Sequence, residues 1–299
     1  MRLLFNACVP IAAGCNARQL ESRVARMPHA WHICSEMKYT ASAFVLTFLV
    51  LIANVGHATS IVILRSPRGT KIVVAADSQF SMDSAAPISA CKIIQIEKNY
   101  WTAISGLTHE SLTGFNAYQI ALDAASRHKN SIDDIASEVR DRTMESLPSA
   151  LKHRRKAIGQ DAFWKEYKEG TDAHEEGFWG YENGKLQLIF IRYVLHRGRF
   201  GGLSLTPVVH RCPGDACNDP QAGFGAFLGQ HKVIDRFTDK NADWQRKSEL
   251  ETAARDFIQM EIDGEPDCHC SPPVSVLSLD RFGTARWVGE SGPSCQAPK

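Results

Sequence analysis

The chain is short of net charge, of long apolar runs and of repetition, and each shortage removes a class of protein. Its 34 lysines and arginines stand against 33 aspartates and glutamates, a formal net charge of +1. That leaves no basic surplus for a nucleic-acid face, so nucleic acid is not an expected partner. The one strongly apolar stretch, Ala43 to Ala53, falls short of the roughly 20 residues a membrane span needs. No internal repeat or low-complexity segment occurs. Metal motifs are also missing. His109-Glu110 would need a second histidine where Thr113 stands, and Cys212, Cys217 and Cys268-His269-Cys270 fit no standard zinc spacing. Neither a metal nor another cofactor is expected. What remains, 44% hydrophobic and 22% charged, is the composition of an ordinary globular domain.

The N-terminal part is organised differently from the rest. From Met37 the sequence has a charged start at Lys38, the apolar run, and a small-x-small ending at Gly56-His57-Ala58, the pattern of a signal peptide over 37–58. Residues 1–36 then read as an extension upstream of the working start at Met37. Cleavage after Ala58 by a signal peptidase would send residues 59–299 to the periplasm or the medium, with no stable membrane anchor. Six of the nine cysteines follow that point, and an exported chain places them where disulfides form, in a pairing that spacing does not define.

Cleavage there would also leave Thr59 with a free α-amine. A threonine hydroxyl is a poor nucleophile, and an α-amine with a pKa of about 7.7–8.0 can take its proton near neutral pH. Both groups would then sit on one residue.

From Thr59 onward the pattern predicts strands over Ile61 to Leu64 and Ile72 to Ala76, joined by a Pro-Arg-Gly turn, and a second hairpin from Lys92 to Ile96 and Trp101 to Ile104. A helical face follows on Leu112, Phe115, Tyr118, Leu122 and Ala125, then a capped helix opening at Ser131 and ended or kinked at Pro148. Lys152 to Ala173 carries no clear period. Strands return at Gly177 to Tyr181 and Leu186 to Val194 around Asn183-Gly184, with a further strand at Leu203 to His210. After a turn at Gly223-Phe224-Gly225-Ala226 come helices near Val233 to Phe237 and Ser248 to Ile262. A last hairpin joins Val274 to Leu279 with Thr284 to Val288. This order suits an α+β fold of two stacked antiparallel sheets flanked by helices.

Thr59, the Ala76-Asp77-Ser78 motif, Lys92 opening a later strand and Ser105-Gly106-Leu107 after the next one together resemble the start of a proteasome β-subunit or its bacterial relative, in the N-terminal-nucleophile hydrolase superfamily. The resemblance is sharp over Thr59 to Leu107 and topological from there to about Gly289. It implies a four-layer αββα sandwich, a homo-oligomeric ring, and cleavage of peptide or other amide bonds in a peptide or unfolded protein. In that scheme Thr59 is the nucleophile, Lys92 an ammonium beside its hydroxyl, and Asp77 the buried carboxylate that holds Lys92. Gly106 offers a backbone N–H to an oxyanion. Asp267 and Ser271 are the nearest match to the pair that supports the amine, although their spacing is wider than the family's. The resemblance also maps a substrate pocket onto Phe80, Ala90, Ile94, Ile104 and Thr108, apolar except for Thr108, which suits an apolar residue before the cut bond.

The chain departs from the family in three places. Ala58 stands where self-cleaving relatives have glycine, no serine stands near Gly225 or Ala226, and the Thr59 to Asp77 interval is longer, the excess falling in the turn Ser66-Pro67-Arg68-Gly69. Two alternatives stay open at this level, a non-catalytic scaffold of the same fold and an acylase acting on a small amide.

Overall fold

The computed structural model describes residues 59–80, 88–198, 201–217, 223–241, 244, 249–265, 270–289 and 295. The expected signal peptide over 37–58, the extension over 1–36 and Asp267 lie outside the described residues. The fold is mixed α/β, with two five-stranded antiparallel sheets and, among the described residues, five α-helices.

The first hairpin is built from β1 (Ser60–Arg65) and β2 (Lys71–Ala76), each rich in β-branched residues and almost wholly buried. The turn between them is a single 3-10 turn over Pro67–Gly69 in which Arg68 and Gly69 both take positive φ. Two-residue strands, β3 (Gln79–Phe80) and β4 (Ile88–Ser89), pair with each other beyond it. The second hairpin is β5 (Ile93–Glu97) and β6 (Tyr100–Gly106), followed by a second short pair, β7 (His109–Glu110) and β8 (Phe115–Asn116).

That short pair corrects the expected helical face. Helix α1 is Ala117–Arg127, capped by the Asn116 side chain accepting from the Gln119 N–H, and Leu112 lies outside it, 77% exposed. Helix α2, Ile132–Ile158, opens as expected with the Ser131 hydroxyl accepting from the Asp134 N–H, and it does not end at Pro148 but continues past it. Packing of Val139, Thr143, Leu147, Ala150 and Leu151 on one buried face outweighs the lost backbone bond. The stretch without a clear period is the end of α2, a short α3 (Gln160–Glu166) and the start of β9.

Strands β9 (Asp172–Glu182) and β10 (Lys185–Arg197) meet at Asn183-Gly184, both at positive φ as a two-residue hairpin requires. β11 (Leu203–Cys212) pairs with β10. The segment expected as a turn at 223–226 is instead the start of a strand, β12 (Phe224–Gly229), paired residue for residue with β1. A Cβ on Gly225 would already lie 3.4 Å from Leu64 and Trp244, so a small residue there serves close packing inside a strand. Helices α4 (Lys232–Lys240) and α5 (Leu250–Gly264) follow, then the closing hairpin β13 (Ser275–Asp280) and β14 (Ala285–Trp287).

The strand orders are β12-β1-β2-β13-β14 and β11-β10-β9-β6-β5. Alternation then sorts the side chains. Ile61, Ile63, Ile72 and Val74 of the first sheet share an apolar cluster with Trp101, Ala103, Trp179 and Leu188 of the second. Their neighbours Val62, Leu64, Val73 and Ala75 pack with Ala254, Phe257 and Ile258 of α5. On the second sheet Ile104, Phe178, Ile189 and Ile191 pack with residues of α1, α2 and α3. This arrangement is compatible with a sandwich of the two sheets.

Among the described residues disulfides join Cys91 to Cys295 and Cys212 to Cys217, consistent with an oxidising compartment. No helix among the described residues is long and apolar enough to cross a membrane.

Candidate active site

The site forms where the first hairpin ends and the second begins. Thr59 immediately precedes β1, Asp77 immediately follows β2, and Lys92 immediately precedes β5. Because β1 and β2 are antiparallel, the start of one lies beside the end of the other, and Ile61 faces Ala76 across the pair. The Asp77 N–H donates to the Ser60 carbonyl (3.2 Å). In return the Ser60 N–H donates to Asp77 Oδ1 (2.9 Å).

Lys92 reaches in from the second sheet. Its Nζ donates to Asp77 Oδ1 (2.8 Å) and to Thr59 Oγ1 (3.1 Å). The Gln79 N–H donates to Asp77 Oδ2 (3.0 Å), so the carboxylate receives three donors. Lys92 is 2% exposed and Thr59 9%. Burial pushes the Lys92 pKa down, and the charge and hydrogen bond of Asp77 resist that fall. An ammonium held against a hydroxyl oxygen in a dry setting favours the alkoxide form of that oxygen.

Tyr118 of α1 braces this corner. Its hydroxyl donates to the carbonyls of Lys92 and Ile104, both at 3.4 Å, and burial pushes its pKa up.

Gly106 closes β6 at φ 79°, with the Ala173 carbonyl oxygen 2.4 Å from where a Cβ would stand. Only glycine fits that close approach. Its neighbour Ser105 links it to the Thr59 side of the site. The Ser105 hydroxyl donates to Glu175 Oε2 (2.9 Å), and the same oxygen accepts from the Gly229 N–H (2.6 Å). Gly229 pairs with Ser60, and the adjacent Gln230 N–H donates to the Thr59 carbonyl (2.7 Å). Glu175 therefore ties the end of β6 in one sheet to the end of β12 in the other. Burial, then the Asp172 charge, push its carboxyl above the ordinary glutamate range, while Gly229, Ser105 and His231 hold it back.

The structure thus brings Thr59, Asp77 and Lys92 into contact and sets Gly106 one residue from the Ser105–Glu175 link. Ser271 is present through its backbone, its carbonyl accepting from the Ser78 N–H (3.1 Å). Of the expected pocket residues, Ile104 is buried and Ile94 partly buried in the cluster against α1, Thr108 is buried, Ala90 is half-buried, and Phe80 belongs to β3.

Glu175 was not among the residues expected from the sequence. The strand expected at Gly177 begins at Asp172, and the run His174-Glu175-Glu176 in an otherwise apolar strand was the available signal. Such charges stay inside a strand only where each finds a partner. Glu176, fully buried, accepts from Thr143 and Tyr193 and meets His174 Nε2 at 2.9 Å.

No protein-family model and no curated protein matches the chain. Among solved structures it is similar to the Anbu (Gly-1) mutant from Hyphomicrobium sp. strain MC1, at 14% identity over 76% of this chain and 84% of that one, with a TM-score of 0.39.

Proposed function

We propose that this chain is an N-terminal threonine hydrolase that cleaves peptide or other amide bonds. The observation that carries the reading is the buried chain Thr59 Oγ1, Lys92 Nζ, Asp77 Oδ1, with Asp77 also holding the backbone of Ser60. Lys92, deeply buried, holds its ammonium against a hydroxyl and a carboxylate at once, the kind of charged burial that clusters at functional sites.

In the proposed reaction, scission of the Ala58–Thr59 bond frees the α-amine. The Thr59 hydroxyl attacks the substrate carbonyl carbon as its proton passes to that amine, and the N–H of Gly106 faces the resulting oxyanion. Collapse breaks the C–N bond, the proton goes to the leaving nitrogen, and an ester on Thr59 remains. Water, deprotonated by the same amine, hydrolyses the ester. Lys92 stays an ammonium throughout, held in register by Asp77.

The four layers of an N-terminal-nucleophile hydrolase are supported by three separate apolar clusters, one shared by the two sheets and one on each helix-covered face. Export to the periplasm or medium agrees with the two disulfides. Assembly into a homo-oligomeric ring is part of the same proposal.

The test is hydrolysis of apolar fluorogenic peptides by protein whose N-terminus has been sequenced as Thr59. A Thr59→Ala variant should keep its circular dichroism and melting curve and lose turnover by about a thousandfold or more. Turnover retained by that variant sinks the nucleophile assignment.

A further inference from the structure

The other end of β1 carries a second feature that the proposed hydrolysis does not use. Arg65, the last residue of β1, lies roughly 20 Å from Thr59 at about 3.3 Å per strand residue. It alternates in phase with Ile61 and Ile63, so it stands on the face turned toward the second sheet, where an apolar residue would be expected. It is 6% exposed, and its Nε and Nη1 are buried with no hydrogen-bond partner. Burial pushes the pKa of this guanidinium down. Orphaned donors on a charged group lose their hydration with nothing in exchange, so a native structure that keeps them calls for a reason.

The surroundings supply one. Arg65 lines a cavity of about 420 Å³ together with Arg68, Gly69 and Thr70 from the β1–β2 turn, Gly184, Lys185 and Leu186 from the β9–β10 turn, Pro213, and Arg281 from the β13–β14 turn. Both sheets contribute to it. Among the described residues four cationic side chains line the cavity, and no carboxylate does. Gly69, at φ 59°, lets the turn fold down on the arginine, since a Cβ there would collide with the Arg65 guanidinium. Arg281 is oriented by stacking over the Phe282 ring, 4.8 Å to its centroid. The β1–β2 turn, Ser66-Pro67-Arg68-Gly69, is also where the longer Thr59 to Asp77 interval falls.

We propose that this cavity is a binding site for a small polyanion, a molecule carrying two or more phosphoryl or carboxylate groups, separate from the Thr59 site. Arginine forks match the planar and tetrahedral oxygens of both groups, and a molecule of this class would supply acceptors to Nε and Nη1 of Arg65 within reach of the Lys185 and Arg281 charges. The volume falls within the range of small-molecule sites and exceeds that of a single ion.

The experiment is calorimetric titration of the full chain with pyrophosphate and, separately, with citrate at about 0.15 M salt, where loose surface pairing is screened. One saturable site is expected for at least one of them. Binding of pyrophosphate alone identifies the phosphoryl group as the one recognised, and of citrate alone the carboxylate. Arg281→Ala and Lys185→Ala should each weaken binding about tenfold, the loss of one charge-assisted contact. Arg65→Met should abolish binding yet leave the ligand-free protein at least as stable in thermal melts, because an apolar side chain of similar length replaces an unpartnered charge. Hydrolysis by Arg281→Ala should match the parent, so this site and the Thr59 site are tested apart. Absence of heat with both anions, or binding that Arg281→Ala and Arg65→Met leave unchanged, overturns the proposal.

Discussion

At the scale of single residues, the Asp77–Lys92 pair has to be judged against its own cost. Both side chains are essentially dry, at 0% and 1% exposed, and removing one member of such a pair leaves an uncompensated charge, typically about 3–5 kcal/mol. Lys92→Met should therefore lower the urea midpoint strongly and stop hydrolysis. The double variant Lys92→Met/Asp77→Asn, which keeps an acceptor for the Ser60 N–H without the charge, should recover most of the stability and none of the activity. If it recovers turnover, Lys92 is a structural residue only. Glu175 makes a separate prediction through pH. Its folded pKa is raised, so in the interval above the ordinary glutamate value the folded state binds more protons than the unfolded one. Its stabilising contribution is complete below that interval and is lost as pH rises through the folded value. Denaturation midpoints followed across the weakly acidic to neutral range should fall with rising pH, and Glu175→Gln should flatten that part of the slope. An unchanged slope would mean that Glu175 titrates normally.

At the scale of elements, two departures from the expected pattern share one cause. Pro148 stops or bends a helix when local energetics decide, and Gly223 to Gly225 suggests a turn for the same reason. In the fold α2 continues because its buried face is anchored on both sides of Pro148, from Ile132 to Leu151. β12 forms because β1 offers it six paired positions. The helix still carries the penalty of proline. Pro148→Ala restores a donor and removes a ring clash, and should stabilise the protein by up to about 3 kcal/mol, read as a higher urea midpoint without change in activity. A neutral or lower midpoint would show that the ring itself packs usefully.

At the scale of the whole molecule, the corner around Thr59 and Lys92 is assembled from distant parts of the chain. Cys91, adjacent to Lys92, is bonded to Cys295 across a sequence separation of 204. A link closing so long a loop restricts the unfolded chain strongly, and its removal typically costs about 2–4 kcal/mol. Cys295→Ser should lower the stability by that amount, read as a lower thermal midpoint. With Lys92 no longer tied to the C-terminal segment, hydrolysis should fall as well. Equal melting of the variant and the parent under oxidising conditions would show that the bond adds nothing to stability.

The strands of both opening hairpins, the cap at Ser131 and the turn at Asn183-Gly184 were legible in the sequence because each depends on residues within a few positions of one another. Thr59, Asp77 and Lys92 were singled out by the resemblance and not by any local pattern, and the structure brings the three into contact at the ends of those strands. Strand order was not legible. Nothing local says that β12 and β13 flank the first hairpin while β9 and β10 join the second, because those pairings are chosen by complementary faces far apart in the chain. Glu175 and Arg65 belong to the same category. One becomes a link between sheets and the other a wall of a cavity only when both sheets are in place, since burial and the identity of a polar partner are properties of packed surfaces and not of any window of sequence.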